Sequence, residues 1–265
     1  MKKTISTIGL GILVNFVSSC SNEAKNWLEA NNIKGNVSCV TDSIWWGEIK
    51  FGEPTKNYLQ YVRVYILNND GNIISFTEYD GYGDIENKYV YKWEGKHLVE
   101  SNAYGADGNP TSKTINTFDG DKLKKVVFED YKNNNNIVSD YYYGGDKLDS
   151  IVSKSKEGKT IEQIKWLDDN DSYTSTTIFP NGSKETTTIY NDSKKRIIKM
   201  KSNDLYTYHY GADGNEDSGT YSHYKYRYTY KYDSKKNWIE KVSYQKWGNE
   251  QEHIYEIITR HYNYK

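Results

Sequence analysis

The sequence predicts an all-β chain: a long antiparallel β-meander of repeated hairpins whose sheet twists and curls, with a closed soluble β-barrel as the alternative form of the same strands. Three observations predict it. Turn signals recur along the chain, from Asp70-Gly71 and Glu94-Gly95 through Asp107-Gly108, Asp119-Gly120 and Gly144-Gly145 to Asn181-Gly182 and Asp213-Gly214. Their spacing is roughly 12 residues, as expected for strands joined by tight turns. The segments between them are β-branched or aromatic and alternate: Ile74, Phe76 and Glu78 oppose Ser75, Thr77 and Tyr79, and Tyr173, Ser175, Thr177 and Phe179 oppose Thr174, Thr176 and Ile178. Mean hydropathy is −0.91, yet 27 of the 265 residues are tyrosine, so rings must supply the buried area that aliphatic residues do not. Disordered chains are poor in aromatics, which argues that this one folds.

The elements follow in chain order. Lys2 and Lys3 precede an apolar run from Ile8 to Val17, and Ser18-Ser19-Cys20 closes it. A charged start, a short apolar stretch and small residues make a secretory leader. The run falls short of the about 20 residues a membrane-crossing helix needs. Val17-Ser18-Ser19-Cys20 resembles a bacterial lipobox, which implies cleavage over 1–19 and lipidation of Cys20. Several acyl chains anchor stably where one does not. The expected partner of this end is therefore the membrane, and the expected location the outer membrane, on its periplasmic or cell-surface side. Residues 20–26 form the lipidated cysteine and a short tether, and 27–265 a single β domain. Glu23 to Asn31 is the one helix candidate. Cys39, left without a partner by a thioether at Cys20, reads as a small, half-buried strand residue.

Removing 1–19 takes Lys2 and Lys3 from 35 basic residues and none from 36 acidic ones, so the net charge moves from −1 to −3. That balance does not recruit nucleic acid. Connections this short exclude parallel crossovers. "YGADGN" occurs at Tyr104 to Asn109 and again at Tyr210 to Asn215, and one hairpin of about 24 residues reads as the repeating unit.

The ending, with Tyr230, Tyr232, Asp233, Asn237, Trp238 and Lys241 in the pattern Tyr-x-Tyr-Asp-x-x-x-Asn-Trp-x-x-Lys, resembles the closing motif of Bacteroidetes lipoproteins related to YD (RHS) repeat proteins. Ile33 to Glu53, followed by "NNDGNII", is similar to their opening strand and first turn. The resemblance implies a lipid-anchored β domain, packing for Trp238, and a sugar-binding role that some members are assigned. Lys235-Lys236 stands where the motif has a glycine before Asn237.

The candidate binding surface is a ladder of tyrosines. Tyr224, Tyr226, Tyr228, Tyr230 and Tyr232 alternate with Lys225, Arg227, Thr229 and Lys231, so they share one face of a strand. Over eight residues the ladder is about 27 Å long. Tyr206 to Tyr210 alternates likewise and is the expected hairpin partner. The ladder reads either as the core face of a curled sheet or as a platform for stacking sugar rings or a partner's apolar groups. Trp45 and Trp46, adjacent and therefore on opposite faces, and Trp247 near the end, carry the same two readings. The partner is a glycan or a surface protein; the alternative is an envelope scaffold without a small ligand.

Catalytic chemistry is not nominated. His97, His209, His223, His253 and His261 have no metal-binding spacing, and the acids of Tyr79 to Glu86 do not alternate as a calcium loop requires. No cofactor and no metal is expected, and a glycan-processing enzyme is the remote alternative. A membrane-spanning barrel is disfavoured, because Lys124-Lys125 and Lys194-Lys195 charge both faces.

Overall fold

The computed structural model describes residues 26–167 and 171–265. Among them a single helical turn, α1 (Trp27–Ala30), precedes eighteen strands. They are β1 (Val37–Lys50), β2 (Glu53–Leu67), β3 (Ile73–Asp80), β4 (Ile85–Glu94), β5 (His97–Gly105) and β6 (Pro110–Asp119). Next come β7 (Lys122–Asp130), β8 (Asn135–Gly144), β9 (Lys147–Ser155), β10 (Gly158–Trp166), β11 (Tyr173–Ile178) and β12 (Lys184–Asn191). The last six are β13 (Ile197–Lys201), β14 (Leu205–Tyr210), β15 (Glu216–Tyr221), β16 (Tyr224–Tyr232), β17 (Trp238–Trp247) and β18 (His253–Tyr264). The helix candidate shortens to one turn capped by the Asn26 side chain, which accepts from the Glu29 N–H. The leader, Cys20 and the tether up to Lys25 lie outside the described residues.

Each strand pairs antiparallel with its neighbours in sequence, and β1 pairs with β18 from Val37 opposite Tyr264 to Trp46 opposite Glu256. The ring therefore closes. This corrects the expectation of a curled, open meander: the closed barrel is the form adopted. The physical reason is the edge. An open sheet leaves two rows of unpaired N–H and C=O groups, and full closure removes both.

Side chains divide into two faces by register. One holds Val40, Asp42, Arg63, Tyr65, Phe76, Tyr89, Val126, Ser175, Tyr208, Tyr226, Tyr228 and Arg260. The N-terminal segment identifies it as the inner face. The Leu28 N–H bonds the Gly71 carbonyl in the β2–β3 turn, and the Asn32 amide bonds the Asp213 carbonyl in the β14–β15 turn. Six strands separate these turns, about 30 Å along the wall, while five residues reach at most about 18 Å. The bridge fits only as a chord across the concave side. Trp27, Leu28 and Ile33 accordingly pack on Val40, Tyr65, Leu67 and Tyr262.

A chain of charges crosses the seam on this inner face. Arg260 of β18 donates two hydrogen bonds of 2.6 Å to Asp42 of β1, and stacks 3.8 Å over the Trp238 ring. Arg63 of β2, opposite Asp42, donates to Glu78 of β3 at 2.6 Å. Asp42 is 4% exposed.

Hairpins repeat through an aromatic latch. Trp93, Phe118 and Tyr143 stand at equivalent ends of β4, β6 and β8, each just past a register shift and opposite Leu98, Leu123 and Leu148. The Trp93 indole N–H donates to the Ile73 carbonyl at the start of the preceding strand (2.7 Å). Tyr143 does so to Leu123, Trp166 to Leu148, Tyr210 to Ile197 and Tyr262 to Trp238. Phe118 has no donor, and the Asn116 amide supplies the bond to Leu98 instead. The two "YGADGN" copies are not in phase with this repeat. They form the same turn, closed by Gly105 N–H to Asn109 O and Gly211 N–H to Asn215 O, but at opposite ends of the barrel.

The glycine missing before Asn237 does not change the turn. Lys236 adopts φ 65°, the left-handed region glycine would take, and the Asp233 carboxylate accepts from the N–H groups of Lys235 and Asn237. The Asn237 side chain then bonds the Lys34 N–H, the Lys34 carbonyl and the Tyr264 hydroxyl, fastening the N-terminal segment.

Removing one member of the seam pair strands the other in a buried site. Asp42→Ala is expected to lower unfolding free energy by about 3–5 kcal/mol, measured by urea unfolding at neutral pH.

Candidate functional site

The tyrosine ladder forms β16, on the inner face. Its neighbours are β15 and β17, not the Tyr206–Tyr210 segment, which is β14 and pairs with β13 and β15. The expected pairing misses because Glu216–Tyr221 intervenes as a strand of its own. The likeness survives across that strand: Gly219 lies opposite both Tyr208 and Tyr226, so the two sets of rings share one face. A side chain at Gly219 would collide with the Tyr226 ring and the Thr207 carbonyl, both within 2.5 Å of its Cβ position. Glycine is required there for the rings to meet.

Together these strands enclose a basin of about 360 Å³ on the inner wall. Tyr206, Tyr208, Tyr221, Tyr224, Tyr226, Tyr228 and Tyr255 line it, with Glu216, Ser243, Gln245 and Glu256. The rings do not stack into a closed block. Tyr206 stacks on Tyr221 at 4.3 Å with the rings inclined by 25°, Tyr221 meets Tyr224 edge-on at 5.3 Å, and Tyr226 tilts by about half a right angle to both Tyr224 and Tyr228. Tilted rings leave parts of their faces open.

The ladder splits by what its hydroxyls do. Tyr230 donates to the Glu216 carbonyl and Tyr232 to the Asp213 carboxylate, so both are tied into the wall. Tyr226 donates to the Glu216 carboxylate at 2.7 Å. Tyr224 and Tyr228 border the basin, and Trp247 lies 4.7 Å from the Tyr224 ring at the barrel rim. The opposite face of β16 is outward: Arg227 forms a two-point ion pair with Glu252, and Lys231 pairs with Glu240.

Neither Trp45 nor Trp46 lines the basin. Trp45 packs on the outer face against Val242, Ile254 and Ile257, with Lys56 over its ring. Trp46 is 39% exposed and stacks on Tyr58, with Tyr255 edge-on at 6.0 Å. Tyr255, 43% exposed, thus links Trp46 to the basin rim. Cys39 is a free, half-buried residue of β1. Among the described residues no group of His, Cys, Asp or Glu is arranged to hold a metal ion.

Electrostatics single out Glu216 and Lys241. Burial raises Glu216 above the ordinary carboxylate range, against the pull of the Tyr226 hydrogen bond and Lys241. Burial pushes the Lys241 ammonium down, with Glu256 and Glu216 opposing, and its nitrogen sits 3.7 Å from the Tyr228 ring centroid. Glu216, Glu256 and Tyr255 belong to the basin but carried no signal in the sequence. A period-2 tyrosine segment facing another across Gly219 was the available clue.

The fold defines the class: a closed, consecutive, eighteen-stranded antiparallel barrel among the described residues, with a tyrosine-lined basin on its inner wall. No protein-family model matches the chain, and no curated protein does. Among solved structures it is similar to a porin-like protein from Bacteroides uniformis ATCC 8492 at 11% identity, over 86% of this chain and 96% of that one, with a TM-score of 0.44. A porin-like protein from Bacteroides vulgatus ATCC 8482 aligns at 13% identity over 87% and 99% of the two chains, with a TM-score of 0.32. Both scores are too low to establish a shared fold; the barrel rests on its own ladders.

A carboxylate whose folded pKa is raised is held better when protonated, so burial of Glu216 costs stability once pH climbs through that raised value. Glu216→Gln is expected to match the wild type at about pH 4 and to be the more stable protein at about pH 7, measured by urea unfolding at both.

Proposed function

We propose that the chain is a cell-envelope β-barrel, anchored by lipid at Cys20, that binds a glycan in its interior without acting on it. The observation that carries this is the tyrosine basin on the concave wall. Half-buried rings with open faces offer apolar area to a sugar ring, and Glu216, Glu256 and Gln245 offer hydrogen-bond partners. The charged amino terminus, short apolar run and Ser-Ser-Cys ending support the envelope location and the anchor, and the likeness of the two ends of the chain to Bacteroidetes YD-repeat lipoproteins agrees with both.

The walls support an anchored barrel over a spanning one. Spanning barrels present an apolar band about 25 Å tall to lipid. Here the outer face carries Lys113, Lys125, Lys154, Lys165, Lys199 and Lys225 on strand after strand. The inner face is no more lipid-like, with Ser101, Thr114, Ser139, Ser153, Glu162 and Ser175 along its middle.

A second reading, an envelope scaffold without a small ligand, is favoured by Tyr230 and Tyr232, whose hydroxyls are spent on the wall itself. Glycan-array binding by the full-length chain in mild detergent separates the two. Binding that drops at least tenfold in Tyr255→Ala, with the melting temperature held within a few degrees, supports the basin; a folded protein that binds no glycan leaves the scaffold. Cys20→Ser is expected to abolish incorporation of labelled fatty acid and to release the chain from the membrane fraction. Retention of label would overturn the anchor.

A further inference from the structure

The basin's chemistry is specific about charge. Its border is rings, two carboxylates, a serine and a glutamine; no lysine, arginine or histidine lines it. On the outer face of the same strands the opposite holds, where Arg227 and Lys231 are matched by Glu252 and Glu240. The inner carboxylates form no such ion pair; Lys241, buried beside the basin, acts on both only through its field, so two carboxylates share one cation. The Glu216 carboxylate accepts only a neutral phenol among its hydrogen bonds, and Glu256 accepts a long one, 3.3 Å, from the Ser243 hydroxyl.

The wall also shows what its rings do with a cation. Lys241 lies opposite Tyr230, beside the basin, and places its ammonium on the Tyr228 face. Tyrosine faces attract ammonium groups by their quadrupole, and the attraction strengthens when water is kept out. Acetyl or hydroxyl groups gain nothing from that field.

From this geometry we infer that the basin selects a protonated amine: an organic cation whose ammonium meets Glu216 and Glu256 while its carbon skeleton lies on the tyrosine faces. The inference rests on the glycan-binding reading and narrows it to an amine-bearing saccharide, such as an oligomer of glucosamine. The same chemistry would admit a small quaternary ammonium such as choline. A uronic or sialic acid is disfavoured by the two carboxylates.

The test is calorimetric titration of the full-length chain in mild detergent with glucosamine oligosaccharides, with their N-acetylated counterparts, and with choline. The expected result is at least tenfold tighter binding of the glucosamine oligomer than of its acetylated form, weakening as salt is raised. Glu216→Gln combined with Glu256→Gln should abolish that preference. Both substitutions keep the shape and one acceptor oxygen, and a wild-type circular dichroism spectrum with a melting temperature no lower than the wild type's confirms the fold. Choline binding would show that the ammonium alone is read; its absence would show that the ring is read with it. Equal or tighter binding of the acetylated oligomer overturns the charge inference and leaves the glycan reading in place. No binding of either oligomer, or of any neutral glycan, by a folded protein overturns both.

Discussion

The pairing of the first strand with the last is the constraint on which the rest of the molecule depends. Seventeen consecutive hairpin contacts can be made locally, but the β1–β18 ladder joins residues more than two hundred positions apart and alone turns a sheet into a wall with an inside. Among the described residues, the least exposed ion pair lies there. Asp42 and Arg260 form a two-point ion pair across the seam, Trp238 covers the guanidinium, and Arg63 and Glu78 continue the alternation of charge into β2 and β3. A buried pair of this kind adds little net stability compared with apolar packing, but it is intolerant of displacement. It fixes register where hairpin turns cannot, and a one-residue slip would exchange the inner and outer faces.

With the seam fixed, the aromatic residues have a direction. The rings that close five of the hairpins donate to the carbonyl at the start of the preceding strand, so each of these hairpins is tied to its own beginning as well as to its neighbours. The arrangement explains how a chain of low mean hydropathy folds with few fully buried aliphatic residues. Tyrosine and tryptophan bury area and satisfy their polar atoms in one step. The N-terminal segment completes the architecture by crossing the concave side, held by Asn237 and by the turns at Gly71 and Asp213.

Much of this was legible in the sequence and some was not. Strand and turn positions followed from alternation and Asx-Gly pairs, because period and backbone conformation are local. Closure was not, because nothing in β1 or β18 taken alone distinguishes an edge strand from a seam strand; only the complementarity of Asp42 and Arg260 does, and it is visible after folding. The repeat was seen in the wrong place. "YGADGN" marks a turn that serves both ends of the barrel, whereas the aromatic-to-leucine unit at Trp93 and Leu98, Phe118 and Leu123, Tyr143 and Leu148 carries the hairpin period. The tyrosine ladder was correctly read as one face, but its partner was misplaced by one strand, and the carboxylates that give the basin its charge come from β15 and β18, where no local pattern announces them.

Native-state hydrogen exchange, resolved strand by strand, tests closure most directly. The account predicts that amides of β1 and β18 along their shared ladder are protected to the same degree as those of central hairpins such as β4–β5. Exchange of β1 and β18 at the rate of fraying edge strands, with the rest of the sheet protected, would contradict it.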